Sequence, residues 1–440
     1  MKYLKQTDPE ILTLIKQEEK RQKDVLEMIA SENYTSKAVM EALGSALTNK
    51  YSEGFPGKRY YQGNSVADAV EILAQERAKK LFGVPYVNVQ PLSGSPANSA
   101  VYFAVLKNGE KMMGLSLTSG GHITHGHKLG LSGRLFKTIH YTLGENNELD
   151  YDAIEKQVLK EKPQLLICGY TAYPRTIDFK RFGEIADKAG CYLMADVSHI
   201  TGLIVAGAHP SPVPHAHIVT TTTHKTLRGP RGAMILVTDK GLQKDPELPK
   251  KIETAIIPGL QGGPHDNQTA AIAVALHEAS TKEFKAYGKQ IVANAKALAK
   301  ALKAQGFDIV SGGTDNHLLL LDVRKNNVNG RVAAIALEKA GIVLNYNGVP
   351  GDEMPPLFAS GIRLGTPAIT TRGMKEAEMT HVAEWYKRAI DEVSGMTLPK
   401  DDKEKRSSMM KEYRAKIDKN KVLKAIAKEI ATFCKQYPLP

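Results

Sequence analysis

Between residues 164 and 238, short apolar runs alternate with stretches of helical spacing. QLLICGY (164–170) is apolar at nearly every position, the pattern of a strand covered on both faces. FKRFGEIADKAG (179–190) sets Phe182, Ile185, Ala186 and Ala189 at helical spacing, and Gly190 suits the end of that helix. CYLMAD (191–196), HIVTTT (217–222) and AMILVT (233–238) read as further strands. Strand and helix in alternation predict an α/β fold, a large domain with a mostly parallel, doubly wound sheet. Such sheets hold ligands at the carboxyl ends of their strands. Asp196 and the loop that begins in the 220s fall at such ends.

The pattern differs at either side of this region. In MKYLKQTDPEILTLIKQEEKRQKD, Asp8 suits a cap, Pro9 the first turn, and Ile11, Leu14 and Ile15 form a helical stripe. From about residue 281 a long Ala/Lys-rich helix, 283–305, leads to Gly306. FDIV and LLLLDV then flank the turn-rich SGGTDNH, and a helix at 331–340 precedes IVLN and a Pro/Gly-rich loop. Val422, Ile426, Ile430 and Phe433 line one face of a final docked helix. The expected division is an N-terminal helical segment at 1–50, a large ligand-binding domain at 51–280 and a smaller α+β domain at 281–440.

Composition narrows the setting. Hydrophobic residues make up 42% of 440, ordinary for a globular protein. The absence of any long uncharged apolar run gives no expectation of a membrane span. The charged N-terminus does not resemble a secretion signal. The three cysteines, Cys168, Cys191 and Cys434, are widely spaced and odd in number. A cytoplasmic protein without a disulfide framework is expected. The net charge of +12 suits nucleic acid or small anions. Aromatic residues are only 6% of the chain, and no basic groove with interleaved aromatics is visible, so nucleic acid is not expected as the main partner.

Several residues carry candidate chemistry. Asp196 closes an apolar strand, where a carboxylate is costly without a partner. It is either a structural cap or ion pair, or the holder of a cationic ring nitrogen, and His199 follows in ADVSH. TTTTHKTLRGPRG (220–232) places Lys225 next to His224, after a β-branched run and before a turn with two glycines and a proline. A desolvated lysine is a nucleophile toward aldehydes. A lysine about thirty residues beyond an aspartate-ending strand fits pyridoxal phosphate chemistry. Ser93, Gly94 and Ser95 precede an Ala-rich helix and could hold a phosphate. GLQGGPH (259–265) offers a second glycine turn. Arg363 in SGIRLGTPA is either a structural ion pair or a clamp for a carboxylate. His122, His125 and His127 in GGHITHGH invite a metal, but without cysteine or acidic ligands nearby in sequence no metal is expected.

IASEN (29–33), NKYSEGFPGKRYYQG (49–63), PLSGSPAN, SLTSGGHITHG, ADVSHITGLI, TTTTHKTLRGPRG, PGLQGGP and SGIRLGTPA occur in that order. Together they resemble the serine hydroxymethyltransferase family, pyridoxal phosphate enzymes of the aspartate aminotransferase fold type. The resemblance implies reversible transfer of the hydroxymethyl unit of serine to tetrahydrofolate, giving glycine and 5,10-methylenetetrahydrofolate. It assigns Lys225 to the Schiff base, Asp196 to the pyridine nitrogen and His122 to stacking on the ring. His199, Thr222 and Thr171 lie near the cofactor, and Ser93, Gly94 and Ser95 hold its phosphate. Tyr51 and Gly263 come from a partner subunit, in a homodimer or dimer of dimers with shared active sites. Arg363 and Ser31 take the substrate carboxylate. Glu53 is the acid–base group with Tyr61 beside it, and His224 influences specificity. Leu117, Gly121, Ile123 and Asn347 contact the pterin. The closest alternative is a folate-independent aldolase of the same fold.

One segment departs from the family pattern. NYNGVPGDEMPPLFASG (345–361) stands where NxNxVPxDxxSPFxxSG is usual. Pro355 replaces the serine, and Leu357 and Phe358 shift the aromatic by one place. In the family this loop helps to shape the folate pocket.

Overall fold

In a computed structural model describing residues 1–440, the alternating region folds as a seven-stranded sheet. Its strands are β1 (Tyr86–Asn88), β2 (Lys111–Leu115), β3 (Lys137–Tyr141), β4 (Leu165–Cys168), β5 (Tyr192–Asp196), β6 (Ile218–Thr222) and β7 (Ala233–Val237). They lie in the order β1-β7-β6-β5-β4-β2-β3. Neighbours from β6 to β3 run parallel, whereas β7 is antiparallel to both β6 and β1. AMILVT is therefore a strand, but a reversed one.

The strand period of two divides the core. Leu166, Leu193, Val219 and Met234 pack on one side of the sheet, while Leu165, Met194, Ile218 and Ile235 pack on the other. Both faces are covered, which is why these strands are apolar throughout. Helix Phe179–Ala189 buries Phe182, Ile185 and Ala186. Asp178 caps it by accepting from Arg181 N, and Gly190 ends it at φ 69°.

The chain divides into two units, one of Asn33–Val292 with Thr314–His317 and one of Met1–Glu32, Ala293–Gly313 and Leu318–Pro440. The sheet above belongs to the first. The second holds an antiparallel sheet of β8 (Asp308–Ile309), β9 (Leu318–Asp322), β10 (Asn345–Asn347) and β11 (Gly361–Gly365), ordered β8-β9-β11-β10. Leu319, Leu321, Ile362 and Leu364 join Val332, Leu337, Ile426 and Ile430 in its core.

Two apolar stripes sit differently from the sequence reading. Asp8 does cap helix Pro9–Asp24, but a separate short helix, Lys2–Thr7, precedes it. Ile11, Leu14 and Ile15 are exposed, and Leu12 is that helix's buried residue. The tail forms two helices, Lys403–Lys419 and Lys421–Cys434. The buried face of the last is Leu423, Ile426, Ile430 and Cys434, and Val422 points outward.

Arg372 ties the termini of the second unit together. Its guanidinium donates to the carbonyls of Gln22, Lys23, Val25, Cys434 and Tyr437 at 2.7–3.2 Å. These are orphan acceptors at two helix C-termini, where a cation is also favoured by the helix dipole. No helix is long and apolar enough to cross a membrane.

In the same unit Glu27 is 2% exposed, and Arg21 Nη1 lies 3.4 Å from its carboxylate. Burial first, and then the charge of Glu32, push the Glu27 carboxyl up from 4.5 to about 7. Between those two values the folded chain holds more protons than the unfolded chain, so this group's contribution to stability falls as pH rises through that window. Glu27→Gln should therefore stabilise the protein by about 1–3 kcal/mol at pH 8, with the gain shrinking toward pH 4.5. Thermal melts of both proteins at the two pH values check this, and an equal shift at both would contradict it.

Candidate active site

Asp196 ends β5 with 8% of its surface exposed. Asn98 Nδ2 donates to its Oδ2 at 2.8 Å, and His125 Nε2 lies 3.2 Å from the same oxygen. The Ser198 amide donates to Oδ1 at 3.1 Å. Burial alone would raise this carboxyl. The hydrogen bond from His125 and the fields of His125 and His122 reverse that and hold it well below the usual carboxylate range. Asn98 is fixed in turn, since its Nδ2 also reaches Thr124 Oγ1 at 2.9 Å and its Oδ1 accepts from Thr220 at 2.7 Å. The result is an anion kept ionised inside the fold.

The lysine turn begins where β6 ends. Lys225 and His224 are half-buried. The Thr223 amide donates to Gly232 O at 3.1 Å and its hydroxyl to Pro230 O at 2.6 Å. Asn33 Nδ2 donates to the Lys225 carbonyl at 3.0 Å. Thr226 donates to His199 O and accepts from Gly202 N, both at 2.9 Å. Thr220, Thr221, Thr223 and Thr226 all direct their hydroxyls to protein partners. Burial, then the charges of Lys225 and Arg231, push the His224 imidazole down to about 3, so it is neutral. Its Nδ1 is buried without a hydrogen-bond partner.

Other expected residues gather near these. Thr222 is 5% exposed and donates its amide to Ser198 Oγ at 3.1 Å. The ideal Cβ position on Gly94 lies 2.8 Å from Thr222 Cγ2. Gly94 opens the twelve-residue helix Gly94–Val105, and Ser93 and Ser95 are exposed beside its free amides. His122 Nδ1 is 2.7 Å from Thr124 Oγ1. Ligand atoms of His122, His125 and Asp196 lie within 4.8 Å of one another. His199 stacks on His317 with ring centroids 5.5 Å apart. Thr171 donates to the carbonyls of Gly120 and Gly121, which anchors the turn bearing Leu117, Gly121 and Ile123. A cavity of about 250 Å³ beside that turn is lined by Leu115, Leu117, His122, His127 and His140.

A second cluster joins Tyr51, Glu53, Tyr61 and Gly263. Tyr51 donates to Glu53 Oε1 at 3.1 Å, and that bond raises the phenol above its ordinary pKa. Tyr61 meets Tyr51 edge-on at 5.1 Å. A Cβ on Gly263 would lie 3.4 Å from the Tyr51 ring. Tyr51, Tyr60, Tyr61, Val66, Ile72 and Leu73 are exposed.

The other unit carries Ser31, Asn347 and Arg363. Arg363 sits on β11 and donates Nε to Asn345 Oδ1 at 3.0 Å. Burial pushes its guanidinium down to about 10. The divergent loop between β10 and β11 has Leu357 65% exposed. Phe358 lies between the guanidiniums of Arg331 and Arg406, each 4.9 Å from its ring centroid. Asp352 accepts from both the amide and hydroxyl of Ser360 at 2.7 Å.

Sequence reasoning did not find Asn98 or the role of His125. A polar residue in the otherwise small and apolar SPANSAVYFAV was the available signal for Asn98. In the sequence His125 reads only as a candidate metal ligand.

The chain matches the family model described as serine hydroxymethyltransferase over residues 4–386. It is 50% identical over 440 residues to the serine hydroxymethyltransferase of Desulfotalea psychrophila, covering 100% of this chain and 96% of that protein. It is 54% identical over 391 residues to that of Methanosarcina barkeri, covering 89% and 93%. With the enzyme of Zymomonas mobilis it shares 55% over 388 residues, covering 88% and 89%. With its sheet, its buried Asp196 and its lysine turn, the chain belongs to the serine hydroxymethyltransferase family.

Proposed function

We propose that this chain transfers the hydroxymethyl group of L-serine reversibly to tetrahydrofolate, forming glycine and 5,10-methylenetetrahydrofolate. The observation that carries the reading is the ionised, buried Asp196 in the same unit as Lys225. The donor set fits pyridoxal 5'-phosphate. Asp196 suits a protonated ring nitrogen, and the exposed Ser93 and Ser95 with the helix amides at Gly94 suit a phosphate. The buried Nδ1 of His224 is a further polar atom without a hydrogen-bond partner.

Lys225 would hold the cofactor through Nζ, His122 would cover its ring, and His199, Thr171 and Thr222 would border it. When bound, the group supplies an electron-withdrawing ring that stabilises negative charge at the α-carbon of an attached amino acid. Asp196 would favour the protonated form of the ring nitrogen. Arg363 and Ser31 orient the serine carboxylate. Glu53 exchanges a proton with the serine hydroxyl oxygen, and Tyr51 and Tyr61 hold that carboxylate in place. The neutral His224 adds no charge beside Lys225. Leu117, Gly121, Ile123 and Asn347 receive the pterin. Folate, phosphate and carboxylate are all anionic, which the net charge of +12 favours.

The exposed tyrosines and the apolar Val66, Ile72 and Leu73 support a homodimer in which Tyr51 and Gly263 complete the partner's site. Three free, buried cysteines suit a cytoplasmic setting.

Arg363→Ala should weaken serine binding by about 2–4 kcal/mol, roughly 30- to 1,000-fold. The absorbance of the bound cofactor should be unchanged. A serine Michaelis constant close to that of the parent would make Arg363 a structural residue.

Sharing of the site makes a second prediction. Lys225→Ala and Tyr51→Ala chains, each inactive alone, should regain activity when refolded together, because a hybrid dimer contains one intact site. Hybrids verified by native mass spectrometry that stay inactive would show that each chain builds its own site.

A further inference from the structure

The Tyr51–Glu53 arm alternates outward and inward. Tyr51 is exposed and Glu53 half-exposed, whereas Ser52 and Gly54 are buried. Beyond the packing of Tyr51 on Tyr61, its shape comes from polar contacts to its backbone. Arg59 supplies the central ones. Its side chain is 3% exposed, and its Nη1 donates at 2.8 Å to the carbonyls of both Ser52 and Gly54, the residues flanking Glu53. Nε donates to Asp68 at 2.8 Å and Nη2 to Glu71 at 2.6 Å. The guanidinium plane is thus fixed at both ends.

The surroundings reinforce this grip. Gln90 Nε2 donates to Gly54 O at 3.0 Å and to Glu71 at 2.9 Å. The carbonyl of Glu53 itself accepts from the Tyr60 amide at 3.0 Å, so all three carbonyls from Ser52 to Gly54 are held. Ser52 Oγ donates to Asp266 at 2.7 Å. Gly54 sits at φ 97°, and a Cβ there would lie 2.3 Å from Lys58 O, so the turn closes only with glycine.

We propose that Arg59 is a positioning residue, whose fork on the Ser52 and Gly54 carbonyls aims the Glu53 carboxylate at the substrate. This rests on the reading of Glu53 as the proton-exchanging group. Arg59 reaches no reactant; it acts through the backbone on either side of Glu53. A lysine at 59 keeps the charge but lacks the planar fork and cannot fix two carbonyls and two carboxylates together. Misplacement of a catalytic group by about 1 Å costs on the order of 100-fold in rate.

A double-mutant cycle on the holoenzyme tests this, with kcat, the serine Michaelis constant, cofactor affinity and the melting temperature read together. Glu53→Gln alone should lower kcat by about 100-fold or more. Arg59→Lys should lower kcat by about 10- to 100-fold with less than about 3-fold change in the Michaelis constant or cofactor affinity. In the Glu53→Gln background the same change should cost less than about 2-fold, because the group it aims is gone. An equal loss in both backgrounds, or none in either, would overturn the proposal. If Glu53→Gln kept full kcat, the reading of Glu53 would fail instead. Should Arg59→Lys not fold, Asp68→Asn, on a side chain that is 22% exposed, leaves one acceptor oxygen for the Arg59 Nε and the Gly57 amide and keeps the Nη contacts. It should give a smaller loss that also vanishes in the Glu53→Gln background, and a loss that persists there would count against Arg59 as well.

Discussion

A carboxylate that must stay charged inside the protein is the constraint on which the larger unit depends. Moving such an ion out of water costs several kcal/mol even after relaxation. Asp196 meets that cost with an amide donor from Asn98, an imidazole from His125 and the amide of Ser198. Each partner is itself committed. Asn98 lies on the helix opened by the Ser93–Ser95 turn, and its Oδ1 accepts from Thr220 of β6. His125 lies in the loop after β2. The helix that bears Asn98, the loop that bears His125 and the end of β5 are thereby fixed around one carboxylate, and the helix start at Gly94 is fixed with them.

The same economy governs the lysine turn. A reactive lysine needs a backbone that does not wander, and its own side chain cannot supply the restraint. The threonine run does so. β-Branched residues favour the strand, and their hydroxyls then bond to carbonyls and side chains of the turn and its neighbours. Gly229 closes the turn by donating to Thr223 O at 2.7 Å. The threonine hydroxyls are a scaffold for the turn that carries Lys225 and the neutral His224.

Much of this was legible in the sequence because periodicity is local. The strands from 164 to 238 and the helix at 179–189 follow from spacing and caps within a dozen residues. The reversal of β7 did not, since a buried strand has the same pattern in either direction. The Ile11, Leu14 and Ile15 stripe gives a helical period but not the face that is covered, and within a single chain it is open. In the last helix the buried set slides by one residue, from Val422 to Leu423, because the true face runs 423, 426, 430 and 434. The motifs named the residues that would meet ligands. Asn98, His125 and Arg59 lie inside those motifs, but their supporting contacts, to Asp196 across the sheet and to the backbone around Glu53, show only in the fold.

Asp196 and Glu53 show why the supports differ. Asp196 has one task, to remain an anion, so every contact favours the charged form and solvent is kept away. In the proposed reaction Glu53 takes and returns a proton, and a carboxylate locked into such a network would resist doing so. The structure leaves its side chain open with a single phenol donor, and puts the restraint on the backbone instead. The arm that bears Glu53 is held through its backbone, whereas Asp196 is held through its carboxylate oxygens. Arg59 and Glu71, both buried, and the partly exposed Asp68 belong to the first arrangement. The two carboxylates fix the guanidinium that grips the Ser52 and Gly54 carbonyls, and none of the three touches the Glu53 side chain through the contacts described.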